Sequence, residues 1–192
     1  MKTKDYQHSL ARHLADIFGQ EMVETEWDSV KYDGHTSNHR TIYAPRHDIV
    51  VGPFNSYADL DVGRDNTELM KVHPFTKRIV REIGWDKGDF KNCWNDFARC
   101  YLAIEIELGG GTKKSNSLKH IFGSVVNASV SGAIGIVVVN EHTSKKVERV
   151  YGYIGRLKYL ERLIVRTIDN LVIIDEDELL DIVREVKGVM SR

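Results

Sequence analysis

The sequence has few of the residues that mark several large classes of protein. Its 192 residues include two cysteines, Cys93 and Cys100, which form no disulfide framework and whose spacing suits no zinc knuckle. No apolar run approaches the roughly 18 residues that suggest a membrane span. The opening segment MKTKDYQHSL lacks the apolar stretch of a signal peptide. We therefore expect a cytoplasmic protein with buried thiols and no membrane partner.

Several catalytic and cofactor motifs are also missing. The sequence contains no G-x-S-x-G, no H-E-x-x-H and no G-x-G-x-x-G, which argues against the easily recognised hydrolases and dinucleotide-binding proteins. The segment GGGTKKS resembles a phosphate-binding loop, but that motif would need glycine at Lys113. His35 and His39 stand four apart without a cysteine partner, so we interpret them as solvent-facing.

The apolar periodicity predicts one α/β domain over residues 1–192. Leu10, Leu14, Ile17 and Phe18 form the stripe of an amphipathic first helix. Strands and helices then follow in the order β, β, α, β, α, β, α, β, α, with a helical insertion at about 67–99. Strands that alternate with helices predict a mixed central sheet with helices on both faces.

Two glutamates interrupt the strand YLAIEIEL. Strict alternation puts Tyr101, Ala103, Glu105 and Glu107 on one face and only apolar residues on the other. A helix and a buried strand follow, which favours a position inside the sheet, where unpaired carboxylates are costly unless they bind cations or line a cleft. The alternative is an exposed face of an edge strand. We favour a metal-binding or acid role.

Asp48 interrupts a second apolar strand, APRHDIVVGPF. Together, Asp48, Glu105 and Glu107 on neighbouring strands would offer the hard oxygen ligands that suit Mg²⁺ or Mn²⁺. Such an ion polarises a phosphoryl oxygen and lowers the pKa of a bound water, as phosphodiester hydrolysis requires. We therefore predict these three carboxylates as metal ligands and catalytic residues.

A metal-dependent hydrolase also needs a cation that stabilises developing charge. Lys119, in the first turn of the next helix, is our first candidate, and Lys113 and Lys114 in the glycine-rich loop are alternatives. His120 could act as a general acid or be an ordinary surface histidine. His47, which precedes Asp48, is expected on the opposite strand face as a core or interface residue.

These residues carry a resemblance to the PD-(D/E)xK nuclease superfamily, the fold of many restriction endonucleases, over roughly residues 41–139. Asp48 takes the place of the aspartate of that motif, Glu105 that of its second acid, and Glu107 the position usually held by lysine. The resemblance implies a restriction-endonuclease-like fold and Mg²⁺-dependent cleavage of DNA or, less often, RNA. Asp89 or Asp96 could replace Asp48 as the first acid.

Some restriction-like members also draw a glutamate from the N-terminal helix, and Glu21 is the nearest candidate. Residues 143–166 hold seven basic and two acidic residues, a local charge of +5 that could follow phosphates. Such nucleases often dimerise, and this segment could serve a homodimer. The alternative functions are a non-catalytic nucleic-acid-binding or assembly protein on the same fold, and a small-molecule hydrolase that uses a carboxylate pair in a closed pocket.

Overall fold

The centre of the protein is one five-stranded sheet with the strand order β1-β2-β3-β4-β5. The structure, a computed structural model, describes residues 3–28, 46–82, 93–110, 117–160 and 169–191. The strands are β1 (Val23–Asp28), β2 (Arg46–Phe54), β3 (Cys100–Glu107), β4 (Gly132–Val139) and β5 (Leu171–Asp175). The predicted α/β architecture with a mixed sheet and helices on both faces is confirmed.

The sheet changes from antiparallel to parallel at its middle strand. β1 and β3 both pair antiparallel with β2, whereas β4 pairs parallel with β3 and with β5. Every residue of β3 and β4 is buried, because central strands of such a sheet are covered on both faces. The predicted interior position of the strand with Glu105 and Glu107 is therefore correct.

Helices cover the two faces of the sheet in two separate groups. The helices are α1 (Thr3–Phe18), α2 (Tyr57–Asp61), α3 (Pro74–Glu82), α4 (Leu118–Ser131), α5 (Ser144–Leu160) and α6 (Glu176–Met190), with 3₁₀ turns at Gln20–Met22 and Glu68–Val72. Apolar side chains of α1, α3 and α6 share one core cluster with the sheet, and those of α4 and α5 form a second. Both cores are built from the helix stripes that the sequence pattern predicts.

Local signals in the sequence mark where two of the helices begin. The Ser117 side chain accepts a hydrogen bond from the backbone N–H of His120 at 3.3 Å and caps α4. Asp175 caps α6 by accepting the N–H of Asp177 at 3.0 Å. α1 buries Leu10, Leu14 and Ile17, as its predicted stripe requires.

Strict alternation fails at the start of β3. Tyr101 packs in the same cluster as Leu102 and Ile104, so the predicted position of Tyr101 on the face of Glu105 is wrong. Cys100 instead shares a cluster with Ala103. The pairing of β2 with β3 shifts register between Val51 and Phe54, and such an irregularity reverses the faces of the residues beyond it.

Neither cysteine is in a disulfide, and Cys100 is buried while Cys93 is half-buried. Burial raises the pKa of the Cys100 thiol, which keeps it in the unreactive protonated form. Within the described ranges, no helix combines the length and the apolar character needed to cross a membrane.

Candidate carboxylate site

The three predicted carboxylates lie on adjacent strands in the middle of the sheet. Asp48 is on β2 and is half-buried, whereas Glu105 and Glu107 on β3 keep 6% and 2% of their accessible surface. Glu105 feels the charges of both Asp48 and Glu107, and each of them raises its pKa. The structure thus brings the three acids into electrostatic contact, with Asp48 the most accessible to solvent.

Asp48 is fixed by the backbone of the neighbouring strand. Its Oδ2 accepts the N–H of Ile106 at 2.7 Å. Burial raises the pKa of Asp48 to about 6, although the Ile106 hydrogen bond opposes the shift. The charges of Glu26 and Glu107 also raise this pKa, and that of His120 lowers it. Asp48 is therefore the centre of a cluster with excess negative charge.

Glu105 forms a buried hydrogen-bonded chain with His47 and Ser131. Glu105 Oε1 lies 2.7 Å from His47 Nδ1, and His47 Nε2 lies 2.8 Å from Ser131 Oγ. Burial raises the pKa of Glu105 to about 9 and lowers that of His47 to about 4. At neutral pH the pair is therefore uncharged, with the Glu105 carboxyl group protonated and the His47 ring neutral, because burial penalises every charged form.

His47 was predicted to be a core histidine on the face opposite Asp48, and its burial is confirmed. Its contact with Glu105 was not predicted. The regular pairing of β2 with β3 ends at Ile49 and Ile104, and Asp48 then uses its side chain to bind β3. Alternation therefore does not describe the faces of the residues beyond Ile49.

Glutamate, histidine and serine in this order also form the catalytic triad of serine hydrolases. Ser131 ends α4 and keeps 3% of its surface, while His47 keeps none. A nucleophile must reach a substrate carbonyl, and Ser131 Oγ lies in the interior instead. The chain is therefore suited to hold Glu105 rather than to attack a substrate.

Glu107 is bound to α4 through its carboxylate and to the start of α5 through its backbone. Ser124 Oγ donates a hydrogen bond to Glu107 Oε1 at 2.5 Å. The Thr143 hydroxyl donates to the backbone carbonyl of Glu107. These two hydrogen bonds fix the orientation of the Glu107 side chain and the position of its backbone.

Two residues beside the carboxylates were not singled out from the sequence. Gln7 of α1 donates through Nε2 to the backbone carbonyl of Asp48 at 2.7 Å and to Glu26 Oε1 at 3.3 Å. Glu26 has a positive φ of 53°, a backbone conformation that is uncommon for residues other than glycine. The signal that could have found Gln7 is its buried position on the apolar face of α1.

Glu21, the predicted glutamate of this region, is exposed in the 3₁₀ turn.

The predicted cation Lys119 is exposed in the first turn of α4. The next residue, His120, is also exposed, and its charge reaches Asp48. The alternatives Lys113 and Lys114 lie outside the described residues, as do Asp89, His35 and His39.

A different set of acids forms the most compact group of potential ligands. Among the described residues, Asp65, Glu68 and Asp96 are the group of three whose ligand atoms all lie within 4.8 Å of one another. Lys71 Nζ already lies 2.6 Å from Glu68 Oε1 and 3.7 Å from Asp96 Oδ1, so a lysine supplies positive charge there. Asp96 therefore belongs to this group.

Asp48, Glu105 and Glu107 do not form so tight a group. Mg²⁺ is usually bound by one or two carboxylates and keeps several of its waters, so a looser arrangement suits it better than a closed protein cage. Hard oxygen atoms in a cluster with excess negative charge fit a divalent cation chemically.

Fold and site together define a mixed α/β protein with a carboxylate cluster on its central antiparallel strand pair. Comparisons with protein-family models, with curated proteins and with solved structures gave no significant match.

Proposed function

We propose that the protein is a Mg²⁺-dependent nuclease that hydrolyses phosphodiester bonds of DNA, of the restriction or defence type that its resemblance to the PD-(D/E)xK superfamily implies. One observation carries the proposal: β2 and β3 are adjacent strands, and the Asp48 carboxylate on β2 accepts the N–H of Ile106, the residue between Glu105 and Glu107 on β3. The acid-x-acid triplet and the separate aspartate therefore lie side by side, as the sequence resemblance requires. The helix and buried parallel strand after β3 also agree with that pattern.

Asp48 and Glu107 are the residues best prepared to hold the ion. Asp48 combines partial exposure with a fixed carboxylate, and Glu107 is oriented by Ser124. Glu105 can join them only if its carboxyl group, whose pKa burial raises to about 9, releases its proton. When bound, Mg²⁺ would supply Lewis-acid polarisation of a phosphoryl oxygen and a water of lowered pKa.

The surrounding residues supply orientation and positive charge. The backbone N–H of Ile106 holds Asp48, while Lys119 remains our proposed electrostatic partner because it lies in the first turn of the helix that carries Ser124. The exposed side chains of Lys145 and Arg149 on α5 could contact the phosphates that flank the scissile bond. The proposed location is the cytoplasm, where cysteines that form no disulfide, such as Cys93 and Cys100, remain reduced.

The alternative is a non-catalytic nucleic-acid-binding or assembly protein on the same fold. It is favoured by the fact that every one of the three carboxylates already has a hydrogen-bond partner within the protein. A network that is satisfied in this way can serve the fold without any metal.

Metal binding and cleavage distinguish these functions. Wild-type protein should cleave plasmid DNA with Mg²⁺ but not with EDTA, and Mg²⁺ at 100 times its Kd should add about 2.7 kcal/mol of stability. Glu105→Gln should keep the fold but lose both metal-dependent cleavage and the shift in Tm. Glu24→Gln makes the same change at an exposed site on β1 and should behave like wild type.

A Mg²⁺-dependent shift in Tm without cleavage of DNA or RNA would favour the binding protein. Cleavage of RNA alone would change the substrate but keep the reaction. Undiminished cleavage by Glu105→Gln would remove the assignment of Glu105.

A further inference from the structure

We propose that His47 is a positioning residue that holds Glu105 in the orientation needed for metal binding, and that Ser131 holds His47 in turn. This inference rests on the proposed metal-dependent function. It assigns a role to two buried polar residues, His47 and Ser131, that the reaction does not otherwise use.

The His47 ring is held at both nitrogens and on one face. Nδ1 lies 2.7 Å from Glu105 Oε1, and Nε2 lies 2.8 Å from Ser131 Oγ. The Trp27 ring stacks on it with 6.0 Å between ring centroids and 29° between planes. With both hydrogen bonds made and no exposed surface, the imidazole has one favourable orientation.

This arrangement also selects one oxygen of Glu105. Oε1 is bound to His47, so Oε2 is the oxygen left for a cation. Residues that hydrogen-bond to a metal ligand fix its orientation, and their loss typically costs about 10- to 100-fold in metal affinity or activity. The effect of His47 should therefore appear in metal binding rather than only in the stability of the fold.

The hydrogen bond with Ser131 links the orientation of the His47 ring to α4. It is the last residue of that helix and directly precedes β4, so its backbone is fixed by two regular elements. Its hydroxyl therefore gives His47 a rigid reference point 84 residues away in the chain.

Two amide substitutions separate the two hydrogen bonds of His47. The amide of His47→Asn can occupy the place of Nδ1 and reach Glu105, whereas the longer His47→Gln places its amide near the site of Nε2 and reaches Ser131. Both variants lose the ring that stacks on Trp27, and they differ from each other by one methylene group. We expect His47→Asn to bind Mn²⁺ about 10-fold more tightly than His47→Gln.

Ser131→Ala removes the outer hydrogen bond alone. Its control is Ser129→Ala, the same change on the same helix, because the buried Ser129 hydroxyl donates to the backbone carbonyl of Val125 at 2.9 Å. We expect Ser131→Ala to weaken Mn²⁺ binding by about 10-fold and Ser129→Ala to leave it unchanged. Tm values of both variants report any loss of folding separately.

The experiment is a Mn²⁺ titration of the full chain by calorimetry, together with cleavage of plasmid DNA. Equal Kd values for His47→Asn and His47→Gln would overturn the role of His47 while leaving the nuclease proposal in place. Mn²⁺ binding with the expected order but without cleavage would support the role of His47 and overturn the nuclease. Absence of Mn²⁺ binding in wild type would overturn both.

Discussion

The Asp48 carboxylate accepts the backbone N–H of Ile106 at 2.7 Å, beyond the point where the regular pairing of β2 with β3 ends at Ile49 and Ile104. A side chain thus takes the place of a backbone partner between two central strands. The same contact fixes the most accessible carboxylate of the candidate site. The Asp48 carboxylate therefore contributes both to the contact between β2 and β3 and to the proposed metal site.

This contact predicts different effects for two substitutions of Asp48. Asp48→Asn keeps a side-chain oxygen that can accept the Ile106 N–H, so its unfolding free energy should stay within about 1 kcal/mol of wild type. Asp48→Ala leaves that N–H without its partner and should lose about 1–3 kcal/mol. Urea denaturation measures both values. Equal stability of the two variants would show that the hydrogen bond contributes little.

Because folding raises the pKa of Glu105, we expect the stability of the protein to fall as the pH rises above neutrality. Between the ordinary pKa of 4.5 and the folded value of about 9, the folded protein keeps a proton that the unfolded chain has released. Its unfolding free energy therefore decreases with rising pH. His47 acts in the opposite direction, but only below its ordinary pKa of 6.5, and Asp48 acts only below about 6.

Between about pH 7 and 8.5, Glu105 is therefore the one of these three residues that changes the unfolding free energy with pH. Glu105→Gln removes the titration, so the stability of wild type relative to this variant should fall across the interval. Urea denaturation at both pH values measures the difference, and the cysteines and tyrosines contribute equally to the two proteins. A constant difference between them would mean that the Glu105 pKa is not raised by folding.

Lys119 is predicted to supply positive charge to the reaction. Lys119→Ala should lower turnover by about 100-fold, the scale of losing one preorganised charge, while Mg²⁺ affinity changes little. Lys77→Ala removes an exposed lysine from α3, a helix of the other core cluster, and serves as the control. Steady-state cleavage and a Mg²⁺ titration measure the two effects. Equal turnover in wild type and Lys119→Ala would pass the role to Lys113, Lys114 or His120.

The sequence by itself determined the order of the strands and of the longer helices, though not the short helix α2, and it determined the interior position of β3. Helix stripes and apolar strands repeat over a few residues, so each element is encoded within its own segment. The apolar residues of β3, and the helix and buried strand after it, were enough to place Glu105 and Glu107 in the core of the sheet. That placement made the carboxylates candidates for chemistry.

Only the tertiary structure decided which side chains lie beside those carboxylates. His47 is 58 residues from Glu105 in the chain, and Gln7 is 41 residues from Asp48. Neither pair has a local pattern, because such contacts depend on the register between strands and on how α1 docks against the sheet. Irregular pairing near Tyr101 and beyond Ile49 further overrides the two-residue alternation on which sequence-based placement relies.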